Sequence, residues 1–288
     1  MKQEQLEELL KDQMWVAKII AISREAGKQI LKIYDGDEIE ITQKADKSPL
    51  TQADTASHRI IVGELRQLTP EIPVLSEESE ELPYEIRRQW QTYWLVDPLD
   101  GTKEFINRNG EFTVNIALIH AGIPVLGVVY VPVKDVLYVG VQKMTSAGAE
   151  GRAFKQIADD PAEAIRIRRL DVAGALTVVA SRRHGSEALQ GALDKLRQEF
   201  VSVATTNMGS SLKICLVAEG AADIYPRLAP TCEWDTAAAQ AVVEAAGGLI
   251  VDSEFNMLRY NTKDELLNPF FYVIADKTFD WNGILKDV

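Results

Sequence analysis

Apolar residues recur at three- and four-residue spacing over residues 3 to about 33: Leu6, Leu9, Leu10, Met14, Ala17, Ile20, Ala21 and Ile30. That period places them on one stripe and predicts an amphipathic scaffold helix. A polar stretch at 42–52 leads to Asp54, ahead of Ala56, Ile60, Ile61 and Leu65. Asp54 is therefore expected at a helix start, where a cap belongs. Residues 74–76 read as a short strand ending in Glu77-Glu78, and residues 94–96 as another. Pro83 and the charged run after it read as a surface excursion. Beyond a loop at 98–110, apolar runs at 112–120, 125–130 and 136–141 are separated by Gly122-Ile123-Pro124 and Pro132-Val133-Lys134-Asp135. Short strands with turn signals between them predict an antiparallel meander.

Residues 146–171 are polar and charged, and mark either a lobe boundary or a surface hairpin. The pattern then alternates: strand at 176–180, helix at 186–200, strand at 201–204, helix at 210–219 closed by Gly220, helix at 236–246 closed by Gly247-Gly248. Alternating strand and helix implies an α/β lobe. The expected organisation is an N-terminal α+β lobe, 1–172, with the antiparallel sheet, and a C-terminal α/β lobe, 173–288. At 288 residues each lobe can bury its own core.

The chain carries 31 basic and 43 acidic side chains, a net charge of −12. That balance opposes binding to nucleic acid or an anionic membrane, so a phosphate ligand would need local cations, from clustered Lys and Arg or from bound metal. Cys215 and Cys232 form no Cys-x-x-Cys pair and are expected to be core thiols in a reducing compartment. No apolar run reaches the length of a membrane span. A cytoplasmic location is expected, with peripheral contact to the cytoplasmic face of the inner membrane as a variant. The mixed Glu and Lys of the first helix favour packing or a homodimer contact over a membrane surface.

Asp97-Pro98-Leu99-Asp100-Gly101-Thr102 follows directly on a strand, with two carboxylates three positions apart. Magnesium takes an octahedron of hard oxygens and only a few of them from protein, a demand this segment suits. Pro98 fixes one φ and Gly101 permits one that other residues resist, so the turn can aim Asp97, Asp100 and the Leu99 carbonyl at one point. Taken alone, the six residues also fit a plain acidic surface turn, and Asp54 and Asp235 fit simple N-caps. Together with Glu77, they are four acidic sites at element ends, the arrangement a two- or three-metal phosphatase needs.

Glu77-Glu78, Asp97 to Thr102 and Trp234-Asp235-Thr236-Ala237-Ala238 resemble, in order and spacing, the three signature segments of the inositol monophosphatase superfamily. The resemblance runs from about residue 17 to 274. Lys103-Glu104-Phe105, Asn109-Gly110-Glu111-Phe112-Thr113-Val114-Asn115, Ser210-Ser211-Leu212-Lys213 and Tyr225-Pro226-Arg227 are similar to its branch that hydrolyses 3′(2′),5′-bisphosphate nucleotides, the CysQ type. It implies a layered α-β-α-β-α sandwich and a lithium-sensitive, magnesium-dependent hydrolase of sulfur metabolism. The expected reaction removes the 3′-phosphate of 3′-phosphoadenosine 5′-phosphate, and of its sulfated relative, by metal-activated water.

The resemblance also implies roles. Glu77, Asp97, Asp100, the Leu99 carbonyl and Asp235 would ligate two or three Mg²⁺ ions, with Asp54 reaching a third directly or through water. Thr102 and Glu77 would hold the attacking water, with Asp54 and Glu78 completing the catalytic set. Gly101 and Lys103 would line the substrate beside these ligands. Ser210, Lys213 and Arg227 would contact the nucleotide and its retained phosphate, and His184 would lie against the adenosine. Two readings stand beside this one: an inositol or sugar-phosphate phosphatase with the same metals, and a phosphonucleotide-binding regulator without turnover. His58, His120 and His184 form no zinc motif, no Gly-x-Ser-x-Gly elbow surrounds Ser210, and the aromatics at 90, 93 and 94 read as packing. His58 reads as a solvated or capping residue.

Overall fold

The computed structural model describes residues 3–36, 39–43, 49–80, 82–142, 151–180 and 187–286. The long N-terminal helix of the sequence pattern is two helices, α1 (Gln3–Lys11) and α2 (Gln13–Tyr34). Asp12 divides them, because its carboxylate accepts the Met14 N–H at 2.8 Å and so caps the second helix. The buried face is Leu6, Leu10, Trp15, Val16, Ile19, Ile22, Ala26 and Ile30, while Met14 is 72% exposed. The predicted period is right, but the break at Asp12 shifts its phase after residue 12.

A two-stranded ribbon, β1 (Ile41–Gln43) and β2 (Pro49–Thr51), leads into α3 (Gln52–Leu68). Then come β3 (Val74–Ser76), α4 (Tyr84–Arg87), β4 (Thr92–Asp100), α5 (Thr102–Ile106), β5 (Thr113–His120), β6 (Ile123–Val131), β7 (Val136–Val141), β8 (Arg152–Ile157) and β9 (Glu163–Ala164). Strands β3 to β9 form a seven-stranded sheet in chain order. Only the β3 and β4 pair is parallel. The described part of the polar 146–171 segment is thus a surface hairpin added to this sheet. The presumed surface excursion after Pro83 hides a buried Arg87, whose guanidinium is taken up by the Asn261 side chain and the Lys263 and Asp264 carbonyls.

The second half supplies β10 (Ala175–Ala180), α6 (Glu187–Glu199), β11 (Ser202–Asn207), α7 (Leu212–Ala218), β12 (Ile224–Arg227), α8 (Glu233–Ala245), β13 (Leu249–Asp252), β14 (Phe271–Ile274) and α9 (Asn282–Leu285). Its five-stranded sheet runs β11-β10-β12-β14-β13. Parallel pairing of β10 with β11 and β12 carries the α/β character, and β14 and then the edge strand β13 continue the sheet with antiparallel pairs.

Three buried clusters separate five layers. Ile19 and Ile30 of α2 and Ile61 of α3 pack with Trp94, Ile116 and Val128 on one face of the large sheet. Ala237, Ala238, Ala239 and Val242 of α8 fill the space between the sheets, among Leu95, Ala117, Val129 and Val273. Leu189, Leu196 and Leu285 of α6 and α9 cover the outer face of the small sheet. The result is the expected α-β-α-β-α sandwich. Alanines along α8 let it lie close to the large sheet, and this brings the start of a C-terminal helix to the end of β4. Among the described residues no helix is long and apolar enough to cross a membrane.

Candidate active site

Strand β4 runs through the acidic motif instead of ending before it. Asp97 pairs with Asn115 and Asp100 with Thr113, so three steps on β4 match two on β5. In a regular strand residues three apart face opposite sides; one extra residue turns them to the same side. Pro98, which has no N–H to give a ladder, sits inside that bulge. Its carbonyl accepts the Ser57 hydroxyl of α3 at 2.7 Å, and the Leu99 N–H donates to Asp97 Oδ1 at 3.0 Å. Leu99 itself is buried, which leaves its carbonyl as its polar group for a ligand. Gly101, at φ +95°, then turns the chain into α5.

The other acids arrive from three directions. Glu77 follows β3 and is held beside β4 by its N–H on the Val96 carbonyl, 3.1 Å. Asp235 is the third residue of α8, where Oδ2 accepts the Cys232 N–H at 2.9 Å. Asp54 is the third residue of α3; Oδ2 accepts the Thr51 N–H at 2.8 Å and hydroxyl at 2.6 Å, and Oδ1 accepts the Thr102 hydroxyl at 3.2 Å. Both helices open with capping boxes, in which Thr51 and Cys232 are the caps and the aspartates the returning partners.

Glu77, Asp97, Asp100 and Asp235 act on one another. Burial first, then the charges of Glu77, Asp100 and Asp235, hold the Asp97 carboxyl well above its usual range, and it shares a hydrogen bond with Glu77. Burial likewise lifts Asp100 to about 6, against the pull of Lys213 and the Ser211 N–H. Asp235 is raised by burial and by Asp100 and Glu77. Among the described residues no three His, Cys, Asp or Glu side chains stand close enough together, as placed, to hold a metal ion. The donor set nonetheless fits one: four mutually repelling carboxylates with hard oxygens, no thiolate or imidazole among them, lose their repulsion when a small divalent cation sits between them.

Asp100 and Asp235 line a cleft of about 370 Å³ together with Lys103, Ser210, Lys213 and Arg227. Lys213 is 8% exposed, donates to the Ser210 carbonyl at 2.6 Å, and lies 5.7 Å over the Tyr225 ring. Burial lowers its ammonium to about 8, offset partly by Asp100. Ser210 Oγ and Arg227 Nε are buried and have no hydrogen-bond partner among the described residues. Glu77 faces a second cavity of about 400 Å³ beside Cys232 and Trp234. Glu78, half-buried in the same turn, lines neither space. His184 lies outside the described residues.

Several expectations change. His58 is half-buried, with Nδ1 2.9 Å from the Ser76 hydroxyl, next to Glu77. His120 is buried against the Thr92 hydroxyl. Cys215 is a core thiol, but Cys232 is half-buried at the cap of α8. Ser211, Thr113, Asn115 and Glu111, assigned no role from sequence, surround the Asp100 side of the cleft.

Residues 11–277 match the inositol monophosphatase family. The chain is 48% identical over 256 residues to the 3′(2′),5′-bisphosphate nucleotidase CysQ of Escherichia coli (strain K12), covering 88% of this chain and 97% of that protein. Its identity to the CysQ nucleotidase of Buchnera aphidicola subsp. Acyrthosiphon pisum is 42% over 261 residues, 90% and 92% of the two chains. Among solved structures, CysQ from Bacteroides thetaiotaomicron, a bacterial member of that family, superposes with a TM-score of 0.79 at 43% identity, over 92% of this chain and 98% of the other.

Proposed function

The chain belongs to the inositol monophosphatase family, and from that premise we propose that it is a magnesium-dependent 3′(2′),5′-bisphosphate nucleotidase. It hydrolyses the 3′-phosphate of 3′-phosphoadenosine 5′-phosphate, leaving AMP and inorganic phosphate. The observation that carries the nucleotide over a simpler monoester is the pair of unpartnered buried groups, Ser210 Oγ and Arg227 Nε, in the cleft that Asp100 and Asp235 border. A substrate with one phosphate at the carboxylates leaves those groups unsatisfied; a second phosphate answers them.

In this reading Glu77, Asp97, Asp100, the Leu99 carbonyl and Asp235 hold two or three Mg²⁺ ions. When bound, the ions supply positive charge to the phosphoryl oxygens and make water at the site more acidic. Thr102 gives its hydroxyl proton to Asp54 Oδ1, so its lone pairs are turned outward to receive a proton from the attacking water. Asp54 can accept the displaced proton because Thr51 holds it in place through two hydrogen bonds. Glu77 helps orient the same water. Lys213 and Arg227 neutralise the retained 5′-phosphate, and Lys103 and Gly101 border the ribose side. A binder without turnover has no use for the Thr102 and Asp54 pair. A homodimer and a cytoplasmic location complete the proposal, with the cleft lying between lobes 1–172 and 173–288.

A phosphate-release panel with and without Mg²⁺ tests this. Release from 3′-phosphoadenosine 5′-phosphate should exceed release from inositol 1-phosphate and fructose 1,6-bisphosphate by a factor on the order of 100 or more, the rejection produced when polar groups are left unpaired. A reversed ranking selects the inositol phosphatase reading, and binding without release selects the regulator.

A further inference from the structure

Glu111, just ahead of β5, alternates with Thr113 and Asn115 on it, and the three reach one loop of the other lobe, residues 208–211. Glu111 is 8% exposed, and its Oε2 accepts the Gly209 N–H at 2.8 Å. A Cβ at Gly209 would stand 2.8 Å from the Glu111 carbonyl, so the two segments touch backbone to backbone. The Ser211 hydroxyl lies 3.0 Å from the Thr113 hydroxyl and donates to Asn115 Oδ1 at 2.9 Å. The Ser211 N–H donates to Asp100 Oδ2 at 2.6 Å, and Asn115 Nδ2 approaches the same oxygen at 3.4 Å.

Ser211 is thus gripped at both its polar groups. Its one hydroxyl proton goes to Asn115, so in the 3.0 Å contact with Thr113 it accepts, while the Thr113 hydroxyl also lies 3.5 Å from Asp100 Oδ2. Its N–H is committed to a carboxylate assigned above to an ion. The loop it closes holds Ser210 at φ +47° and offers the Met208 and Ser210 carbonyls to Lys213 Nζ. An ion drawing on Asp100 therefore changes the oxygen that seats Ser211, and Ser211 cannot slip because Thr113 and Asn115 fix its side chain.

We propose that Asn115, acting through Ser211, is a positioning residue that makes the nucleotide-binding loop respond to the ion at Asp100. The proposal rests on the reading of Asp100 as an ion ligand and of Ser210 and Lys213 as nucleotide contacts. It reaches beyond that reading, because linkage requires the nucleotide, once seated in the loop, to tighten the ion in turn.

The test is amide hydrogen exchange of peptides covering residues 208–214, with and without Mg²⁺ and with no nucleotide present, in the wild-type chain, Ser211→Ala, Asn115→Ala and the double variant. Mg²⁺ should slow exchange of this loop at least about fivefold in the wild type, the lower end of ordinary coupling. Each single variant should lose most of that protection, and the double variant should be no worse than the worse single one, since both cut one link. KM for 3′-phosphoadenosine 5′-phosphate should rise on the order of tenfold while kcat stays within about threefold. Should Asn115→Ala fail to fold, Ser211→Ala alone decides, because it leaves the strand untouched. Unchanged loop exchange in a wild type that Mg²⁺ stabilises and that hydrolyses the nucleotide overturns this inference alone, as does full protection in Ser211→Ala. A wild type that neither binds Mg²⁺ nor hydrolyses the nucleotide overturns the site reading and this inference with it.

Discussion

Helices α3 and α8 begin with the same device and put it to different ends. In both, an aspartate in the first turn reaches back to the N–H of the capping residue three positions earlier. Asp54 spends both oxygens within the protein, Oδ2 on Thr51 and Oδ1 on Thr102. Asp235 spends Oδ2 on Cys232, and burial first, then the charges of Asp100 and Glu77, raise its carboxyl. A carboxylate held by neighbouring donors orients them and can take a proton from them; one held among other carboxylates is suited to a cation. In the proposed roles, the difference separates a residue that orients Thr102 and takes its proton from one that ligates an ion.

The largest expected effect follows from that separation. Asp235→Asn should lower turnover by about 10³-fold or more, as loss of a charge-stabilising group in the transition state does. Ion-free thermal stability should hold or rise in this variant, because one member of a repelling group is removed; a fall comparable to a lost core contact would break the comparison. Asp54→Asn should cost less turnover, roughly 100-fold, the lower end for loss of a positioned proton acceptor. It should also cost about 1 kcal/mol of stability through the weakened helix start, read by denaturant unfolding.

A pH series sharpens the contrast. Because Asp100 titrates near 6 in the fold and near 3.8 when unfolded, the folded chain binds more protons between those values. Its contribution to ion-free stability is present below about pH 3.8 and is lost as pH rises through about 6. The melting temperature without Mg²⁺ should therefore fall from pH 5 to pH 7, and the gain on adding Mg²⁺ should grow over the same range. Equal gains at both pH values would contradict the site. The smallest effect is that of Cys232→Ser, which gives α8 the hydroxyl cap that Thr51 gives α3. Stability should rise by about 0.5–1 kcal/mol, since Ser is a preferred cap, with turnover within about twofold.

The carboxylates were legible in the sequence because acids at strand and helix ends stand out against apolar runs. The bulge that turns Asp97 and Asp100 to one side was not, since it depends on β5 as partner. The helix starts were read three residues late at 233 and slightly late at 52, because Thr51 and Cys232 are the caps and the aspartates their returning partners. Thr113 and Asn115 entered only as part of a resembling segment and received no role of their own. The two alternate with Val114 and Ile116, but every residue of β5 is buried, so the alternation does not say which face meets a site. Arg87 looked like one charge in a surface run because its partners, Asn261, Lys263 and Asp264, lie far along the chain.

The central claim, that Asp235 ligates an ion and Asp54 does not hold it alone, is tested most directly by calorimetric titration of Mg²⁺ into the wild-type chain, Asp235→Asn and Asp54→Asn near pH 8. A binding heat is expected in the wild type that is lost or weakened at least about tenfold in Asp235→Asn and kept within about tenfold in Asp54→Asn. Unchanged affinity in Asp235→Asn together with lost binding in Asp54→Asn would contradict it.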